Sequence, residues 1–403
     1  MSAVFRISYA VIFFVLLVFG WMGWGMYIYI FDKSCPVLVI NGLDDGGYYA
    51  GDIQAALLGR DDYKVSDLSV WLDGKSIINK FRVNRKEFEH QLPIPTKSLS
   101  NGKHALKIEL VDGAYSKNKL EHELTFFVDN TTLQAAFIKS DADYKVFQGR
   151  TLHLQIQVSK EIKTARVNIL SKEYDFFPES ASSKIYEAFI PISCEEGTTE
   201  YPFTIDIMDK TGAAMALHGK FQVIPYPFKK QVLTFNKEHL KEQEEGALDQ
   251  SVLEDELVEL VKKSPSEKLF NGEFYIPMEM TRVSCDYGMK RVTQEKGCYM
   301  HKAVDLAGIP RTVVWAPQDG IVIIKNKYKS SGNAVVIDHG LGIFTLLFHL
   351  DSFANINIGD KIRRGSPVGK MGMTGYATGY HLHWEMRINN IHVDPLQWTK
   401  LDF

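Results

Sequence analysis

The chain is poor in cysteine, with only Cys35, Cys194, Cys285 and Cys298 among 403 residues. Four thiols cannot staple a chain of this length, so a disulfide-rich scaffold is excluded and the cores must come from apolar burial. Charge of one sign is also scarce. A net charge of -3, from 46 basic and 49 acidic residues, gives no field that would attract polyanions and excludes nucleic acid as a partner. The sequence has no internal repeat and no low-complexity tract, which excludes solenoids and disordered arrays. The last absence is local. No charge interrupts residues 7–31, ISYAVIFFVLLVFGWMGWGMYIYIF, and a helix of about 20 apolar residues is enough to cross a bilayer.

This run reads as an uncleaved membrane anchor. Trp21, Trp24, Tyr27 and Tyr29 crowd its C-terminal half, where amphipathic rings suit the lipid-water boundary. A signal peptide has a shorter apolar stretch and small residues at its cleavage site, whereas this run is longer and ends on bulky ones. Arg6 precedes it and Asp32-Lys33 follow. That flank predicts the N-terminus inside and residues 32–403 outside, in a periplasmic or other extracytoplasmic space. DKSC lacks the small residues expected before a lipid-bearing cysteine, so Cys35 reads as an ordinary thiol.

From residue 36 to about 226 the texture is that of strands. LSVWLDG, HALKIELVDG, LTFFVDN, LHLQIQVS and YPFTIDIMD are separated by Gly, Asp, Asn and Ser turns, a spacing that produces β-sandwiches. The stretch from WLDGKSI to FFVDN resembles the immunoglobulin-like modules of bacterial surface proteins. We place one module at 35–130 and a second at 131–228, and read them as spacers. Residues 236–264 change register: Leu240, Leu248, Val252, Leu257, Leu260 and Val261 recur at helical spacing until Pro265, predicting an acidic amphipathic helix inside a 229–269 linker. It reads as a linker helix packed on a neighbour, with a regulatory flap as the second reading.

Chemistry concentrates after residue 270. Six of the twelve histidines, His301, His339, His349, His381, His383 and His392, fall here among runs such as NAVVIDHG, GIFTLLFHL and HLHWEMRI. Side chains alternate along a strand, so His381 and His383 share a face. Two close imidazoles cannot both be protonated cheaply, and a shared divalent cation resolves the conflict. HKAVD supplies His301 and Asp305 upstream, on one face of either a helical turn or an extended segment. With His349 there are five candidate groups, two more than a three-ligand site with an open position needs.

In order, FYIPMEMTRVSCDYGMKR, HKAVDLAG, APQDGIV, VVIDHG, TLLFHL and IGDKIRRGSPVGKMGMTGYATGYHLHWEMRINNIHVDP resemble the motifs of the M23 metallopeptidases, the lysostaphin or LytM type of bacterial cell-wall endopeptidase. The resemblance covers about 130 residues, within a domain placed at 270–403. It implies an antiparallel β domain of the duplicated hybrid motif, Zn2+ held by His301, Asp305 and His383, and catalytic roles for His349 and His381. The expected fold is therefore mainly β: a tail and anchor at 1–34, two sandwich modules, a linker helix and the peptidase domain. The implied activity is hydrolysis of peptide stems and cross-links in peptidoglycan, with envelope or division proteins as further partners. A non-catalytic peptidoglycan-binding or hydrolase-activating protein is the alternative, since some relatives have lost ligands.

Departures from the family pattern are Leu347 in place of an aromatic, Ala303 in place of glycine, and Cys-Asp-Tyr at 285–287. None removes a ligand. Cys285 and Cys298 flank a loop leading into His301 and are the candidates for a disulfide in an oxidising compartment. His339 and His392 read as turn or packing residues. Glu385 and Arg387 read either as support for the metal ligands or as a surface pair.

Overall fold

The computed structural model describes residues 2–140, 144–180, 183–232, 250–293 and 297–401. It is mainly β, with an apolar helix over Ser2–Phe31. Its segment Val11–Phe31 has a mean hydropathy of 2.1 and is not buried, which makes it long and apolar enough to cross a membrane. The chain divides into two compact units, Met1–Thr132 with Asp209–Ala213, and Leu133–Met208 with Ala214–Phe403.

In the first unit one six-stranded sheet serves both layers, where the sequence led us to expect two separate sheets. The 20-residue strands Ile53–Leu72 and Lys75–Ile94 form one long hairpin. Its first half pairs with Val37–Asn41 and its second with Gly102–Asp112, either side of a break in register between Arg60 and Val65. A bulge of this kind bends a strand sharply. Ala55 and Leu57 from one half then share a core with Leu68, Val70 and Phe126.

In the second unit, residues 133–224 form two facing sheets of five and four strands. Alternating residues fill the space between them, for example Leu152, Leu154 and Ile156 against Val167, Phe203, Ile205 and Phe221. This sandwich is packed onto the C-terminal domain. Phe177 and Phe189 join Phe270, Phe274 and Trp398 in one apolar cluster. Gln397 accepts from the Thr151 amide at 2.7 Å and donates to its carbonyl at 3.0 Å, while the Trp398 indole donates to Thr151 Oγ1 at 3.1 Å.

The C-terminal domain is built on a ten-stranded sheet, in which Arg282–Cys285, Val304–Ala307, Leu382–Ile388, Ile343–Phe353, Gly332–Asp338 and Gly320–Tyr328 are successive neighbours. A smaller sheet joins Lys230–Val232, Met289–Thr293 and Gly297–His301. Of the acidic helix predicted over 236–264, residues 236–249 lie outside the described residues, and 250–261 are helical. Leu253 and Leu257 are fully buried against Ile324, Val336, Leu346 and Phe348. The helix is thus a packed element of the domain, as its apolar spacing requires.

His339 is a packing residue. Its Nδ1 donates to the Asp319 carbonyl at 2.7 Å, and its Nε2 lies 2.9 Å from Thr345 Oγ1. Burial pushes its pKa down to about 4. Between the usual value near 6.5 and that figure, only the unfolded chain takes up the proton. The stabilisation is therefore complete above pH 6.5 and falls as pH drops toward 4, by up to about 1.4 kcal/mol per unit. Urea unfolding at pH 7 and pH 5 should show a smaller loss for His339→Gln than for the parent chain. Equal losses in the two proteins would remove His339 from the account.

Candidate functional site

His301 ends strand Gly297–His301 of the small sheet, and Asp305 lies in Val304–Ala307 of the large one. The H-x-x-x-D segment is therefore neither a helical turn nor one extended run. It breaks at Lys302-Ala303 and passes from sheet to sheet. Asp305 pairs in register with His383, and His383 with Phe348 on the far side. Three neighbouring strands so align these residues in one row.

The Asp305 carboxylate is the hub. His301 Nε2 lies 3.2 Å from its Oδ2 and His383 Nδ1 lies 2.9 Å from its Oδ1. His381 Nε2 stands off at 3.9 Å. Burial would raise the Asp305 pKa, but the bonds from His301 and His383 outweigh it and hold the group well below the carboxylate range. Burial would lower His383, yet bonds to Asp305 and Glu385 carry it to about 9. Its Nε2 faces Glu385 Oε1 at 3.1 Å. With carboxylates at both nitrogens the ring is held as imidazolium. A metal ion beside Nδ1 would displace one proton, while Glu385 keeps the other and fixes the tautomer. His301, Asp305 and His383 offer two imidazole nitrogens and one carboxylate, ligand types suited to zinc, although by mutual distance His301 and Asp305 group with Cys285, and His383 with His349 and His381.

His349 and His381 complete the cluster, their ring nitrogens within 4.8 Å of that of His383. His349 Nδ1 donates to the Thr374 carbonyl and His381 Nδ1 to the Gly379 carbonyl, each at 2.8 Å. A carbonyl only accepts, so each ring carries a proton on Nδ1 and turns Nε2 toward the cleft. Burial, reinforced by His383 and His381, pushes His349 down to about 3. Its backbone has φ 60°, the left-handed region that non-glycine residues seldom adopt. This conformation breaks the strand alternation at Phe348 and His349. Both then reach the cleft, Phe348 lying parallel to the His383 ring at 5.6 Å. The Thr374 carbonyl is held in place by Gly332 and Gly375, both at positive φ, where an added Cβ would strike backbone within 2.5 Å. The cleft measures about 590 Å³, and Gln231, Gln250 and Tyr380 are among its walls.

Several residues here take parts other than those read from the sequence. Cys285 does not pair with Cys298. Both thiols are free, Cys298 exposed and Cys285 buried, because the hairpin sets Cys298 opposite Val292. Cys285 Sγ instead lies 3.2 Å from His301 Nδ1. Burial raises this thiol to about 11, and its sulfur groups with His301 and Asp305 as a possible metal-ligand set. Arg291 Nη2 touches both Cys285 Sγ, at 3.2 Å, and Asp305 Oδ2, at 3.3 Å. Nor are Glu385 and Arg387 a surface pair: Arg387 is fully buried and Glu385 nearly so. Arg387 bonds Glu385 at 2.7 Å and takes Glu254 of the helix in a two-pronged grip, at 2.6 and 2.9 Å. His392 Nε2 lies 3.2 Å from Glu385 as well. Glu254, Arg387 and Glu385 thus form a charged chain ending on His383. Glu385→Gln is expected to weaken zinc binding about 10- to 100-fold, measurable by competition with a chromogenic chelator. An unchanged affinity would show that Glu385 does not orient the ligand.

Residues 299–395 match the family described as Peptidase family M23. This matched segment lies wholly within the C-terminal domain. Over 126 residues the chain is 36% identical to the DD-carboxypeptidase/endopeptidase Mpg of Neisseria meningitidis serogroup B, covering 31% of this chain and 29% of that protein. It is 32% identical over 120 residues to the peptidoglycan DD-endopeptidase ShyC of Vibrio cholerae, covering 30% and 28%. The match thus spans under a third of these relatives' length. The catalytic domain of lysostaphin from Staphylococcus simulans aligns with 35% of this chain and 96% of its own, at 21% identity and a TM-score of 0.24. His301, Asp305, His349, His381 and His383 all fall inside the matched M23 segment, whereas Cys285, Arg291 and Glu254 lie outside it.

Proposed function

We propose that this chain is a zinc endopeptidase that hydrolyses the peptide cross-links of peptidoglycan, anchored in the membrane through residues 7–31 and acting outside the cytoplasm. The observation that carries the reading is the convergence of His301 Nε2 and His383 Nδ1 on the Asp305 carboxylate, with His349 and His381 directly beside it. His301, Asp305 and His383 are the ligands. Zinc held there supplies Lewis acidity toward the scissile carbonyl and makes water a competent nucleophile near neutral pH. His381 accepts the proton of the attacking water at Nε2 and returns it to the departing amine, its Nδ1 anchored on the Gly379 carbonyl. His349, fixed by Thr374, lines the same wall and positions the reacting groups. Peptidoglycan as substrate is supported by the names of the relatives, and the envelope location by that substrate together with the apolar helix. The test is release of new amino groups from purified peptidoglycan by the zinc-loaded full chain. No release from the host's own wall, with zinc bound, would favour a binding or activating role on the same fold.

A further inference from the structure

Three carboxylates meet where the N-terminal helix gives way to the first β unit. Asp32 follows the helix directly, Asp61 sits in the bend of the long hairpin, and Asp112 ends strand Gly102–Asp112. One oxygen of each lies within 4.8 Å of the other two. Asp112 is fully buried and Asp61 is 5% exposed. The decisive detail is that Asp61 Oδ2 and Asp32 Oδ2 are buried without a hydrogen-bond partner.

The other polar atoms are committed to holding this shape. Asp61 Oδ1 accepts from the amides of Tyr63 and Lys64, both at 2.9 Å. Asp112 accepts from the Ala114 amide at 3.2 Å and from Asn118 Nδ2 at 2.7 Å. Ser116 Oγ and Asn118 Nδ2 donate to the Asp32 carbonyl, and the Tyr115 amide to that of Tyr29 at 2.9 Å. Like charges brought this close out of water repel, and the repulsion is relieved by a proton or by a cation. Burial raises the Asp61 carboxyl, with Asp32 and Asp112 adding to the rise. Three close carboxylates, two of them with a buried oxygen that lacks a hydrogen-bond partner, are an arrangement a cation uses, and an all-oxygen set selects a hard ion over zinc.

We infer that Asp32, Asp61 and Asp112 bind a divalent cation of the calcium type, which ties the end of the N-terminal helix to the first β unit. The ligands come from three separate segments, so the ion would act as a clamp at that junction. The inference stands apart from the peptidase reading, since none of its residues lies in the second unit.

Terbium, a luminescent stand-in for calcium, is the probe. Tyr29 lies 5.7 Å from Tyr63 and 6.3 Å from Tyr115, ring centre to ring centre, and Tyr63 directly follows the Asp61 turn, so tyrosine excitation should sensitise the bound ion. The full chain in detergent is freed of metal on a chelating resin, reloaded with one equivalent of zinc, and titrated. We expect a saturable signal, displaced by calcium with an apparent Kd of about 0.1–1 mM, the range of extracellular calcium modules. Asp61→Asn and, separately, Asp112→Asn should each weaken it about 10-fold or more while leaving peptidoglycan hydrolysis at its original rate, which also reports that each variant is folded. A parent chain without a saturable, calcium-displaced signal, or folded variants that titrate like the parent, would overturn the site.

Discussion

His381→Ala is expected to cut peptidoglycan hydrolysis by about 10²- to 10⁴-fold, the range lost with a positioned acid-base group, while zinc stays bound at one equivalent. The expectation rests on placement. His381 Nε2 lies 3.9 Å from Asp305 Oδ1, farther than either His301 or His383, and its Nδ1 is committed to Gly379. It therefore faces the site from outside the ligand set proposed above. His301→Ala should behave differently, losing metal and activity together. Metal analysis run beside the amine-release assay separates the two. If His381→Ala loses its zinc, or keeps near-parental activity, the division of labour between the paired histidines is wrong.

The second large effect concerns stability. Arg387→Ala should destabilise the second unit by about 3–5 kcal/mol, as expected when one partner of a buried charged network is removed. Arg387 is fully buried between Glu385 and Glu254, and its charge holds the Glu385 carboxyl well below the usual range against the effect of burial. Without it, Glu385 keeps His383 and His392 as its ion-pair partners among the described residues. Glu254→Gln should cost far less, since its side chain is 37% exposed and water screens what it loses. Urea midpoints of the two variants give the comparison. A loss for Arg387→Ala of under 1 kcal/mol would mean the network contributes no more than surface pairs do.

How much of this was legible in the sequence depends on the range of the interaction. The alternation of HLHWEMRI places His383, Glu385 and Arg387 on one face, and the strand Leu382–Ile388 has that form. The acidic helix was readable from the spacing of Leu257, Leu260 and Val261. What it packs against was not, because its contacts with Val336 and Leu346 are long-range. Phe348 and His349 both reaching the cleft contradicts a period of two, and no residue type announces the left-handed turn at His349. Cys285 was visible only as half of a disulfide, since spacing alone cannot say that a hairpin turns Cys298 away. Arg291 and Glu254 gave no signal, because their roles arise from residues brought together by the sheet.

The seam between the second sandwich and the C-terminal domain changes what counts as the working piece of the proposed enzyme. Phe189 and Phe177 cover Trp398, Phe270 and Phe274, and Thr151 satisfies the polar atoms of Gln397 and Trp398. A fragment trimmed to start at Phe270 would bare a greasy, unsatisfied flank and also lose the helix that grips Arg387. The smallest autonomous hydrolase should therefore begin near Leu133, making the sandwich a part of the catalytic body.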